Sequence, residues 1–244
     1  MTNYDKLSEI YDRIFGERFY RDYERFIRKA TGLRRGRLLD VACGTGRLGA
    51  RFPEFEVVGV DRSRGMLGRA KKRGLITKRA SIESFRVPGA FDLAACTFDS
   101  LNHLKSLSGV FRSVARALKP GGFFVFDINT PFKINAVCPS YRGRRFTIGD
   151  TEVFWLSESA PNRWTSRLTM FQRGRRYEET IEERAFSRRV IESALRSAGL
   201  SVAGVYSDLR FRPVEPTSER WFYVVRRNHG SGNSRQGRRR SRLQ

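Results

Sequence analysis

Apolar positions along the chain alternate between short strand-like runs and segments of helical period. Residues 37–41, 57–61, 75–80, 91–97 and 123–128 are runs of apolar and β-branched side chains bounded by glycine, proline or charge, which predicts five strands. Between the last two of these, residues 107–118 carry Val110, Phe111, Val114 and Leu118 on one helical face, closed by Pro120-Gly121-Gly122. Residues 3–31 predict one or two amphipathic helices, with Tyr4, Leu7, Ile10, Tyr11, Ile14 and Phe15 followed by Phe19, Tyr20, Tyr23, Phe26 and Ile27. Strands alternating with helices indicate an α/β fold. Residues 141–186 break that rhythm. Their period-two stretches at 145–148, 152–157, 164–172 and 177–186, with turns at Pro161-Asn162 and Arg173-Gly174-Arg175, predict an antiparallel insert of three or four strands. A helix over 188–199, ended by Gly199, and strands at 202–206 and 221–225 complete the pattern.

The chemistry concentrates at residues 38–52, which read as a strand, a tight turn and the start of a helix. Gly44 and Gly46 permit a sharp bend and the close approach of a ligand to the backbone. Gly44-Thr-Gly46-Arg-Leu-Gly49 also fits the dinucleotide pattern, but Asp40 just ahead of it would repel a pyrophosphate and suits a cationic ligand. Asp61 ends the second strand, where an acid can accept both hydroxyls of a ribose.

Asp40-Val-Ala-Cys-Gly44-Thr-Gly46 resembles motif I of the class I S-adenosylmethionine-dependent methyltransferases. Val57-Val-Gly-Val-Asp61 resembles their second motif, and Leu118-Lys-Pro-Gly-Gly-Phe-Phe-Val-Phe-Asp127 their helix–turn–strand block before the fifth strand. The resemblance implies a Rossmann-like seven-stranded sheet flanked by helices, with the last two strands as an antiparallel hairpin at its edge. It implies S-adenosyl-L-methionine as cofactor, with Tyr11, Asp40, Ala42, Cys43, Gly44, Thr45, Gly46, Asp61, Arg62, Met66, Ser81, Ile82, Thr97 and Phe98 around it. Ser81 stands where the family usually has an acid near the adenine amine, and the Ile82 N–H is a fair substitute. Met66 suits adenine packing or the core equally. The N-terminal cap and the insert resemble those of small-molecule members, including amino-sugar N-methyltransferases. There a tyrosine of the first helix often faces the methyl donor, a role that falls to Tyr11.

Residues after the fourth strand lie on the ligand side of such a sheet. His103 is therefore the candidate base, or only a positioning group if a substrate amine arrives neutral; Asn102 and His103 are candidate substrate contacts with Asp99 behind them, and Phe132 is a further one. No metal is required, because a sulfonium methyl is already an activated electrophile.

The formal net charge of +23 raises a second reading, an RNA methyltransferase using its basic surface and tail. Only eight of the 48 basic residues are lysine, and such an arginine bias also arises from genome composition with a solvated surface. Arginines at 142, 144, 145, 173, 175 and 176 read mostly as a solvated face, with one or two as partners for an anionic substrate group. A non-catalytic cofactor-binding protein is a third reading. The N-terminus lacks the apolar core of a signal peptide, and no run is long enough to span a bilayer, which predicts a cytoplasmic protein. Cys43, Cys96 and Cys138 show no metal spacing. The expected organisation is a helical cap over 1–34, a catalytic domain over 35–227 holding the insert at 141–186, and a disordered basic tail over 228–244.

Overall fold

The computed structural model describes residues 8, 11–14, 16–141 and 143–229. Expectations for Tyr4, Leu7, Ile10, Phe15, Arg142 and tail residues 230–244 lie outside the described residues.

A seven-stranded sheet forms the centre of the molecule. Its strands are β1 (Gly36–Val41), β2 (Phe55–Asp61), β3 (Ile76–Arg79), β4 (Phe91–Cys96), β5 (Leu118–Asn129), β10 (Leu200–Tyr206) and β11 (Arg220–Arg227), in the order β10-β11-β5-β4-β1-β2-β3. The first five run parallel, and β11 pairs antiparallel with both β5 and β10. The inner parallel strands β5, β4, β1 and β2 read as near-continuous apolar runs because helices cover both faces. On one face α4 (Ser108–Ala117) and α5 (Arg188–Ser197) bury Val110, Phe111, Val114, Ile191 and Leu195 against Phe124, Phe126 and Tyr223. On the other, α2 (Glu17–Thr31) buries Tyr20, Tyr23, Phe26 and Ile27 against Leu38, Leu93, Val125 and Phe222. Gly16 separates α2 from the single turn α1 (Tyr11–Ile14).

The insert is a separate four-stranded antiparallel sheet of β6 (Arg144–Ile148), β7 (Thr151–Ala160), β8 (Arg163–Gln172) and β9 (Arg175–Arg184). Its inward positions alternate regularly, as the period-two pattern requires, and Val153, Leu168 and Met170 form a small core with Tyr11 of α1 packed against it. The insert arginines 144, 145, 173, 175 and 176 are exposed. Arg145 pairs with Glu152, Arg173 with Asp150 and Arg176 with Glu178. Their exposure and these surface pairs agree with a solvated face.

Two local expectations also change. The glycine turn does not open a long helix: residues 42–48 run through successive turns, and only the short turn Gly49–Arg51 is helical. The Gly49 N–H donates to the Asp40 side chain at 3.1 Å instead of to a helical carbonyl, and Pro53 forbids continuation. The fifth strand begins at Leu118, not Phe123, because Leu118 already pairs with Phe91. No helix among the described residues is long and apolar enough to cross a membrane.

Candidate active site

The carboxyl ends of β1, β2 and β4, the end of β5, α1–α2 and the inner face of the insert enclose a cavity of about 920 Å³. Its floor is the glycine turn. Gly44 has φ +53°, and a Cβ there would stand in open space on the ligand side, whereas one at Gly46 would lie 2.8 Å from Ala70 Cβ. The two glycines thus serve different ends: Gly44 leaves room for a ligand, and Gly46 lets the turn pack on α3 (Arg64–Lys72).

Asp61 lines the cavity beside the turn. Its Oδ2 accepts from Gly44 N at 2.9 Å and its Oδ1 from Ser63 N at 2.9 Å. Burial pushes its carboxyl above the usual range, against those same backbone N–H groups. The carboxylate keeps acceptor capacity beyond these N–H groups for a ligand hydroxyl. Ala42, Arg62, Met66, Ser81, Ile82 and Glu83 continue this wall.

At the end of β4 the backbone is strained. Phe98 and Asp99 sit consecutively at φ +60° and +51°. Asp127 holds them, accepting from Phe98 N at 2.8 Å and from Asp99 N at 2.9 Å. Phe98 is wedged between Tyr20 and Tyr23, each 4.7 Å away by ring centroid, so α2 braces the same point. Such residues cost about 1–3 kcal/mol each and persist where surrounding structure over-determines them. Arg220 of β11 closes the arrangement. It bonds Asp99 at 2.6 Å, pairs with Asp127, and donates to the Tyr23 hydroxyl at 3.2 Å. Burial raises the Asp99 carboxyl, but Arg220 and then His103 outweigh it and hold it below its ordinary value.

His103 follows on a short turn and lines the cavity. Its Nδ1 is 3.0 Å from the Glu182 carbonyl. A carbonyl only accepts, so Nδ1 carries a proton, which leaves Nε2 as the ring nitrogen that can take one from a substrate.

Several sequence candidates point elsewhere. Asp40 is 2% exposed and supports the turn from behind through Gly49 N. The Cys43 thiol packs where a Cβ on Gly59 would lie. Thr45 is buried, and its hydroxyl donates to Asp12 of α1 at 2.6 Å, a carboxylate that Arg73 also binds at 2.6 Å. Thr97 is buried, and neither it nor Phe132 reaches the cavity. Asn102 is fully buried; its amide donates to the Asn129 and Arg184 carbonyls at 3.0 and 2.8 Å and its oxygen accepts from Asn129 N. It fastens the insert to the sheet and is corrected as a substrate contact. Tyr11, Ala42, Gly44, Asp61, Arg62, Met66, Ser81, Ile82, Phe98 and His103 do converge on the cavity.

Sequence reasoning missed Asn129, Trp155, Trp164, Glu183 and Arg220, which also line it. Glu183 was hidden by the doublets Glu178-Glu179 and Glu182-Glu183, which put an acid on both faces of β9 whichever parity is chosen. Burial, then the Asp99 charge, push Glu183 up to about 8.

The Methyltransferase domain family matches residues 38–122. The Bacillus subtilis (strain 168) protein YqeM, named as a methyltransferase, is 31% identical over 92% of this chain and 97% of its own. The chain belongs to the class I S-adenosylmethionine-dependent methyltransferases. An S-adenosylmethionine-dependent methyltransferase from Clostridium acetobutylicum superposes with a TM-score of 0.80 at 27% identity, covering 93% of this chain and 100% of that one. CalS10, an amino pentose methyltransferase from Micromonospora echinaspora, shares the fold with a TM-score of 0.65 at 23% identity, over 87% and 91% of the two chains. The methyltransferase uses S-adenosylmethionine as its cofactor, and the site fits it. Open space at Gly44 admits the ligand against the backbone, and Asp61 keeps acceptors for ribose hydroxyls.

Asp40 yields a prediction of its own. Burial, opposed by the Gly49 N–H and reinforced by the Asp61 charge, pushes its carboxyl up to about 7. The unfolded carboxyl titrates near ~3.9, so between about pH 4 and 7 the folded state binds more protons and stability falls as pH rises. Asp40→Asn keeps an acceptor for Gly49 N and cannot ionise. Urea unfolding at pH 5 and pH 8 is expected to show the parent losing more stability than the variant; equal losses would contradict the assignment.

Proposed function

We propose that this methyltransferase transfers a methyl group to a nitrogen or oxygen of a small-molecule acceptor, without a metal. The observation that carries the reading is the walled cavity, with the glycine turn and Asp61 at one end and His103 beneath the insert at the other. We take Tyr11, Ala42, Gly44, Asp61, Arg62, Met66, Ser81, Ile82 and Phe98 as the cofactor's surroundings, and residues 1–34 as a cap on a catalytic domain over 35–227. The bound sulfonium supplies an activated methyl. The chain's own residues hold the acceptor in line and exclude water, and orientation of this kind is worth roughly 7–11 kcal/mol. His103 takes the acceptor's proton at Nε2 directly or through water, while the Glu182 carbonyl fixes the ring.

Labelled-methyl transfer should be screened against amines, alcohols and RNA. Transfer to RNA alone would overturn the reading. With the acceptor found, His103→Ala is expected to lower turnover about 10²–10⁴-fold while cofactor affinity holds. An undiminished rate would reduce His103 to a packing residue.

A further inference from the structure

The wall opposite the glycine turn contains polar groups that the reading above leaves unused. Asn129 is 1% exposed, its Nδ2 donates to Asp99 at 2.9 Å and to Glu183 Oε2 at 2.6 Å, and its Oδ1 has no partner among the described residues. Trp164 is 8% exposed, and its Nε1–H donor has no partner among the described residues. Trp164 and Glu183 are direct partners across β8 and β9, so they share the inward face. All three residues line the cavity. A buried acceptor normally finds a donor, so Asn129 Oδ1 on the cavity wall fits a donor group of a ligand, whereas the Trp164 N–H calls for an acceptor elsewhere on that ligand.

We propose that Glu183, Asn129 and Trp164 form an acceptor subsite that binds an ammonium group of an amine-bearing substrate. The inference rests on the small-molecule reading and names the class of acceptor within it. Glu183 and Asn129 Oδ1 present acceptors, and an ammonium is a compact group of donors only. The indole face of Trp164 favours a cation as well. The cations nearby are engaged: Arg220 by Asp99 and Asp127, and Lys133 by Glu219 at 3.2 Å. An anionic group would instead meet Asp99 and Glu183 together. Asp99, Arg220 and Lys133 are the charges that act most strongly on Glu183, Asn129 bonds it, and the Cys138 thiol is a further titratable group within its reach. The elevated carboxyl of Glu183 gives the site a pH signature. A cation beside it favours the ionised form, so binding expels the Glu183 proton to solvent and strengthens as pH rises.

The test uses the full chain loaded with S-adenosylhomocysteine, with cyclohexylamine and cyclohexanecarboxylate as matched probes. Saturation-transfer NMR titrations are expected to show at least tenfold preference for the amine at pH 8, growing from pH 6 to pH 8. Glu183→Gln is expected to abolish the pH trend and at least tenfold of amine affinity, with S-adenosylhomocysteine affinity retained. Should that variant fail to fold, Asn129→Ala is expected to weaken the amine in the same direction. Equal binding of the two probes, binding of neither, or an unchanged Glu183→Gln profile overturns the proposal. Failure of the parent to bind S-adenosylhomocysteine would instead strike at the cofactor site itself.

Discussion

Replacing Arg220 by methionine is expected to destabilise the protein by about 3–5 kcal/mol, because it leaves buried carboxylates without their cation. The guanidinium bonds Asp99 at 2.6 Å, pairs with Asp127, and reaches the Tyr23 hydroxyl at 3.2 Å. Asp127 is fully buried and spends its oxygens on the strained Phe98 and Asp99 amides. Burial already pushes the Asp127 carboxyl up, and Arg220 is the principal group drawing it back. Without the cation, Asp127 protonates or the end of β4 rearranges, and the loss extends to Phe98 and the docking of α2. Urea unfolding of Arg220→Met measures the effect. Adding Asp99→Asn and Asp127→Asn should recover much of it, since amides keep hydrogen bonding and remove the unpaired charge. Arg220→Lys should recover little, because a single ammonium cannot reproduce a planar fork between two carboxylates. A loss below about 1 kcal/mol in Arg220→Met would mean that the cluster behaves as a solvated surface pair.

Asp61→Ala is expected to weaken S-adenosylmethionine binding at least a hundredfold, on the order of 3 kcal/mol, by isothermal titration. Two effects add. The proposed ribose acceptors disappear, and the Gly44 and Ser63 N–H groups lose the oxygens that hold them at 2.9 Å. Asp61→Asn separates the effects: one amide oxygen can hold one of the two N–H groups, so its loss should fall between parent and alanine. Unchanged affinity in Asp61→Ala would place the ribose elsewhere.

The legible part of this site was the part written in consecutive residues. Asp40-Val-Ala-Cys-Gly44-Thr-Gly46 identified the turn because a strand end, a bend and a packing glycine are all local demands on the chain. Yet the same motif over-assigned its own members. Asp40, Cys43, Thr45 and Gly46 face the support of the turn, whereas Ala42 and Gly44 face the cavity. Which way a side chain turns within such a bend depends on what packs behind it: Val57 and Leu75 close on Gly49, and Asp12 arrives from α1. That His103 and Tyr11 line the cavity was legible because position after β4, and position on the first helix, limit where they can be. Asn102, one residue from His103, was misplaced because its contacts are the distant Asn129 and Arg184 backbone.

By itself the sequence determined the alternation of strands and helices, the glycine turn, the acid at the end of β2 and the antiparallel insert. Hydrophobic period, turn residues and short-range spacing suffice for these. Only the tertiary structure decided that β9 turns Glu183 inward, that Arg220 closes on acids about a hundred positions earlier, and that Asn129 bridges Asp99 to the insert. Those contacts join elements whose register and packing are set by the whole core. A buried charge acquires its partner, its titration and its use only once that core has formed.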